Sequence, residues 1–153
     1  MVDPEVIAER LKLLVGYIAD LEDEQGTDWE RFVGDKKLRR YVERTLQLAI
    51  ECCLDIGNHI ISAKGLREPQ DNRDVFRVLA EAGYLPGDLL PACERMAGFR
   101  NVLVHEYARI DPAIVFAALK RRVPDLRRFA SAIAPLAGAH EPPGSTPPET
   151  PNG

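Results

Sequence analysis

The sequence predicts an all-α protein, an up-and-down helical bundle, on three observations. Apolar residues recur at steps of three and four through most of the chain. No segment alternates apolar and polar residues with the two-residue period of a strand. Glycines, prolines and capping residues interrupt the periodic segments where short helix connections belong. At 153 residues, 45% apolar and 29% charged, the chain matches one globular domain able to bury its own core. No internal repeat is visible.

The elements follow in order. Asp3 is placed to cap a helix with Pro4 at its first position. Ile7, Leu11, Leu14, Ile18 and Leu21 then form one apolar stripe on a helix running to about Gln25, with Gly26 as its stop. Thr27 and Glu30 have capping-box spacing, which predicts a short helix through Val33, broken by Gly34. Asp35 opens the longest periodic segment, ending near Lys64 with Gly65 as cap. Leu38, Val42, Ala49, Cys53, Ile56 and Ile60 make one stripe on it, and Leu46, Ile50, Leu54 and Ile61 a neighbouring one. An arc this wide predicts the central helix of the bundle, with Gly57 permitting close approach of another helix.

Arg67 to Asn72 reads as a loop. Asp71 or Asn72 caps the next helix, which runs through Val75, Phe76, Val78 and Leu79 to Ala82 and stops at Gly83. After the break at Pro86-Gly87-Asp88, a helix from Leu89 turns Leu89, Ala92, Cys93, Met96, Phe99 and Leu103 inward. Asp111-Pro112 repeats the cap-plus-proline start, with Ile114, Val115, Phe116 and Leu119 inward. Pro124 kinks or divides this element, and Leu126, Phe129 and Ile133 resume the pattern. The helical domain is assigned to residues 1–136. Residues 137–153, rich in Pro, Gly, Ser, Thr and Glu, are expected to form a disordered tail.

Composition narrows the function classes. A net charge of −4 gives no global sign of nucleic-acid binding, so any RNA contact needs a local basic patch. Lys36, Lys37, Arg39 and Arg40 form one cluster, and Lys120, Arg121, Arg122, Arg127 and Arg128 another; such runs most often only solvate a face. Cys52, Cys53 and Cys93 are odd in number and contain no Cys-x-x-Cys pair. They read as small buried hydrophobes in a reducing compartment, with no thiolate metal site expected. The polar start Met1 to Glu5 is not a signal peptide, and no run of about 18 apolar residues occurs. A soluble, cytoplasmic protein without a membrane partner is expected.

The most informative segment is Met96-Ala97-Gly98-Phe99-Arg100-Asn101-Val102-Leu103-Val104-His105-Glu106-Tyr107, at the end of a predicted helix. Histidine is the side-chain type whose ordinary pKa, about 6.5, lies nearest neutrality, which suits His105 to general acid or base work. Arg100 carries a permanent cationic fork matched to phosphate oxygens. Asn101 can orient either group, and Tyr107 offers a hydroxyl. RNA brings its own nucleophile, the 2′-hydroxyl, so such a set can serve its cleavage with no obligatory metal or other cofactor. Five helical residues turn through about 500°, placing Arg100 and His105 roughly 140° apart. They converge on one phosphate only if the helix ends near Val104 or if two protomers share the site. Taken alone, His105 reads as a helix C-cap stabilised by the dipole; the company of Arg100, Asn101 and Tyr107 reverses that preference. His59 reads as structural. Arg44, Gln47, Glu51, Asp55 and Asn58 form a polar stripe on the central helix, commonly a solvated face; the functional alternative is that Glu51 or Asp55 holds Arg100.

The spacing Arg-x4-His-x-Tyr resembles the signature of HepT-like toxins of the HEPN superfamily. Tyr41 to Ile61, Arg73-Asp74-Val75-Phe76 and Ile110-Asp111-Pro112 extend the resemblance to roughly residues 3–135. It implies a metal-independent endoribonuclease toxin that acts on RNA rather than DNA as a homodimer, with Arg100, Asn101 and His105 from two protomers at one interface. It also implies a minimal nucleotidyltransferase antitoxin as partner, with Tyr107 as acceptor of AMP. The alternatives are a non-catalytic HEPN module that binds nucleotide or partners a nucleotidyltransferase, and a purely structural helical dimer.

Overall fold

The computed structural model describes residues 2–138, and among them seven α-helices and three 3-10 turns with no strand. Helix α1 (Pro4–Asp23) opens at Asp3, whose carboxylate accepts from Glu5 N–H; the five residues of its predicted stripe are its buried ones. His59 Nε2 accepts the Asp3 N–H at 3.1 Å, so this histidine ties the start of α1 to the central helix. The helix ends slightly before the predicted Gln25.

Helix α2 (Trp29–Gly34) is capped one residue later than the capping-box spacing predicts. Asp28 accepts from Arg31 N–H at 2.8 Å, while Thr27 Oγ1 turns back to Glu24 Oε2. A carboxylate adjacent to a hydroxyl is at least as good a cap, and the choice fell to it. Helix α2 leans on α6 (Pro112–Arg121) through an aromatic cluster: the Phe32 and Trp29 rings lie 5.4 and 5.5 Å from that of Phe116.

Helix α3 (Lys36–Lys64) is the central element, with the predicted ends. Asp35 accepts from Leu38 N–H, and Gly65 closes the helix at φ 62°, a conformation that favours glycine. Helices α1, α4 (Asn72–Glu81), α5 (Leu90–His105), α6 and α7 (Val123–Ile133) all pack on it. At Gly57 the α4 (Asn72–Glu81) side chains come so close that an added Cβ would sit 2.6 Å from Val75 Cγ1 and 3.1 Å from Leu79 Cδ1. Val75 is β-branched and buried, so it cannot swing away. Gly57→Leu is therefore expected to cost more than about 3 kcal/mol through overpacking and to lower Tm by roughly 10 °C. Thermal unfolding followed by circular dichroism checks this, and an unchanged midpoint would mean that α3 and α4 can part without penalty.

Between α3 and α4 the chain is pinned by Asp74. Its carboxylate takes both arms of the Arg67 guanidinium at 2.8 Å and the Gln70 N–H at 2.9 Å, and Arg67 also grips Glu81. The Arg67 guanidinium, and then the Gln70 N–H, hold the Asp74 carboxyl down at about 2. A carboxylate depressed in the folded state contributes stability above its unfolded pKa of about 3.9, and that contribution is lost as pH falls through about 2. The expected result is a loss of thermal stability between pH 4 and 2 that is shallower in Asp74→Asn. Equal slopes for the two proteins would sever the link.

A 3-10 turn, Gly87–Leu89, occupies the predicted break, and α5 spans Leu90–His105, starting one residue after the predicted Leu89. Cys93, Met96, Ala97 and Leu103 are buried, whereas Ala92 and Phe99 are only half-buried. Pro124 divides its element, giving α6 (Pro112–Arg121) and α7 (Val123–Ile133). Ile114, predicted to point inward, is 51% exposed; Val115, Ala118 and Leu119 form the buried face, and one residue of rotation places Ile114 outside it. The last described turn, Ala134–Ala137, packs on α1. From residue 139 the expected tail lies outside the described residues. No helix among the described residues is long and apolar enough to cross a membrane.

Candidate active site

The inward residues of α5 fix the direction of the others. With Met96, Ala97 and Leu103 in the core, Arg100 and Asn101 are half-buried on the flank facing α3 and α4, and His105 is exposed at the helix end. Arg100 Nε and Nη2 both donate to Glu51 Oε1 at 3.2 Å, and Nη1 reaches Asn101 Oδ1 at 3.4 Å. Glu51 Oε1 also accepts from Gln47 Nε2 at 3.0 Å. Of the two carboxylates proposed from sequence, Glu51 makes this contact. Asp55 lies one turn further along α3, on the wall of a recess of about 320 Å³ that is also lined by Glu51, Leu54, Asn58, Asn72 and Arg100.

The Arg100–Glu51 pair is partly open to water, at 24% and 29% side-chain exposure, so it adds little to stability. Its consequence is positional. A guanidinium has five N–H donors, and these contacts leave two for an incoming phosphate while the fork is held still.

Asn72, which the sequence offers only as an alternative cap, joins the site. Asp71 takes the cap of α4 by accepting from Asp74 N–H at 2.8 Å, which frees the Asn72 amide to donate to Asn101 Oδ1 at 3.2 Å. The adjacent Arg73 lays its guanidinium across Gly98; a Cβ there would lie 2.4 Å from Arg73 Nη2. A second cation thus packs on α5 one turn before Asn101. The sequence signal was the Asp71/Asn72 alternative: one of the two must cap, and the other is then available.

Helix α5 continues unbroken through His105. Glu106 N–H closes it on Val102 O at 2.9 Å, and Tyr107–Arg109 form a 3-10 turn. The helix ends one residue past Val104 with His105 still helical, so Arg100 and His105 of the chain stay about 140° apart around the axis.

Other chemistry is poorly supported. All three cysteines are buried and unpaired, and burial pushes the Cys52 and Cys93 thiols up to about 11 and about 12, far from thiolate reactivity. No group of three or more His, Cys, Asp or Glu among the described residues is arranged to hold a metal ion. The second predicted basic cluster is largely committed to the fold. Lys120 donates to the Gln25 and Thr27 carbonyls, Arg122 pairs with Asp125, Arg127 with Glu22 and Arg128 with Asp88.

Comparison with known proteins shows the family. The chain is 30% identical over 129 residues to the mRNA nuclease HepT of Shewanella oneidensis, covering 84% of this chain and 96% of that one. It is 30% identical over 118 residues to the tRNA nuclease HepT of Aphanizomenon flos-aquae, covering 77% and 80%. Its fold superposes with a TM-score of 0.76, at 29% identity and over 84% of this chain and 96% of the other, on a tri-AMPylated Shewanella oneidensis HEPN toxin in complex with its MNT antitoxin. The sequence model described as "Ribonuclease HepT-like" matches residues 14–133, nearly the whole helical bundle. The chain belongs to the ribonuclease HepT-like family.

Proposed function

We propose that the protein is a metal-independent endoribonuclease, the toxin of a cytoplasmic toxin–antitoxin pair, and that its site is completed by a second copy of the chain. The observation that carries this is the Arg100–Glu51 contact: it holds a phosphate-binding fork on the same helix that ends in an exposed His105. Arg100 binds the scissile phosphate, Asn101 and Asn72 brace it, and His105 moves the proton. The RNA 2′-hydroxyl loses its proton and attacks the adjacent phosphorus. The P–O5′ bond breaks, leaving a 2′,3′-cyclic phosphate and a protonated 5′-hydroxyl. The angle between Arg100 and His105 favours a homodimer, in which one protomer's histidine faces its partner's arginine.

The test is incubation of the purified protein with RNA in excess chelator. Cleavage that yields cyclic-phosphate ends, and that stops when the attacking nucleotide is 2′-deoxy, is the expected result. Intact RNA would instead favour the non-catalytic module. A nucleotidyltransferase antitoxin is the proposed partner, by membership of a family whose solved relative carries AMP in an antitoxin complex.

A further inference from the structure

The recess at Arg100 does not end at Asn58. Asn58 also lines a second, adjoining recess of about 450 Å³ between the C-terminal end of α3 and the 65–69 segment, within the size range of small-ligand sites. Ile61, Leu66 and Pro69 give it apolar walls, and Asn58, Ser62 and Glu68 polar ones. Glu51, Asn58 and Ser62 follow one another along α3 at seven and four residues, so the second recess is centred about 10 Å or more from Glu51 along the helix axis.

Its chemistry differs from that of the first. No cation lines it, and the neighbouring guanidinium, Arg67, is taken up by Asp74 and Glu81. Glu68 makes no ion pair among the described residues. A phosphate is therefore disfavoured here. A planar, largely apolar ring bearing hydrogen-bond donors is favoured: its faces pack on Ile61, Leu66 and Pro69, and its donors meet the Glu68 carboxylate and the Asn58 amide oxygen. The Arg67–Asp74 clasp holds this wall in place before anything binds.

We propose that the second recess is a base-binding subsite for a nucleotide flanking the scissile phosphate, selecting a base with an exocyclic amine over uracil. This rests on the ribonuclease reading above. A carboxylate accepts from the exocyclic amine of cytosine, adenine or guanine at the edge of the base, whereas the one free ring donor of uracil, N3–H, lies between two carbonyl oxygens that the carboxylate repels.

The experiment uses the full chain and short oligonucleotides that are 2′-deoxy except at one linkage, which fixes the cut, with the flanking base varied on either side. On one side, kcat/KM is expected to favour amine-bearing bases over uracil by roughly tenfold, the scale of one good base contact. Glu68→Ala should bring that ratio close to one. Ser62→Trp, a change at an exposed position that fills the recess, should reduce the advantage of the flanked substrate over the bare dinucleotide. Circular dichroism confirms that both variants fold. Equal rates for all four bases, or a preference that survives both substitutions, would overturn the subsite while leaving the ribonuclease standing. No cleavage of any substrate by the unsubstituted protein would overturn the ribonuclease reading itself.

Discussion

His105→Ala is expected to reduce RNA cleavage by about 10²- to 10⁴-fold, the usual contribution of one positioned acid–base group, without loss of the fold. The side chain is exposed at the last residue of α5 and makes no hydrogen bond among the described residues, so removing it leaves no buried group unpaired. Arg100→Lys should be nearly as damaging, for a different reason. An ammonium cannot bridge to Glu51 through two donors and still present two more to a phosphate, so the cation loses its fixed direction. A mixed dimer adds a sharper measurement. If the site is shared, combining a His105→Ala protomer with an Arg100→Ala protomer restores one Arg100–His105 pair in some dimers, and cleavage rises above the residual level of either variant alone. Cleavage that persists in both single variants would place the chemistry elsewhere. Failure of the mixture to recover would confine each site to one protomer.

The parts of the molecule legible in the sequence are those decided locally. Asp35 and Gly65 mark the ends of α3 because cap and stop act within one turn, and the wide apolar arc between them reports a helix surrounded by others. Where two neighbours offer similar local energy, pattern cannot choose. Thr27 and Asp28 both suit a cap, and Ile114 and Val115 both suit the inner face of α6; packing of α2 and α6 against each other and the core decided both. The candidate site divides in the same way. Arg100, Asn101 and His105 stand together in the chain and are visible as a motif. Glu51 contacts Arg100 across 49 residues and Asn72 contacts Asn101 across 29, so they emerge only when α3, α4 and α5 are assembled. A polar stripe on α3 signalled a carboxylate for Arg100, but Glu51 and Asp55 are a turn apart on the same face, and only the height of Arg100 along α5 separates them.

Regulation should act through Tyr107. It is the first residue of the 3-10 turn that follows α5, two residues beyond His105, and two residues span at most about 7 Å. An adenylate attached at this residue is therefore expected to come within reach of the His105 imidazole. Co-expression with a cognate nucleotidyltransferase is expected to place AMP there. The phenol oxygen attacks the α-phosphorus of ATP supplied by that partner, the phenolic proton is lost, and pyrophosphate leaves. The resulting phosphodiester brings a permanent negative charge and the bulk of an adenosine to the place where the RNA phosphate must sit, so repulsion and exclusion act together. Cleavage should fall to the level of His105→Ala, and Tyr107→Phe should abolish the adduct and leave the protein toxic despite the partner. Intact-mass measurement with peptide mapping decides this. AMP on another residue, or neutralisation by the partner without any adduct, would remove Tyr107 from the mechanism and leave inhibition to be sought in the antitoxin's own contact with the site.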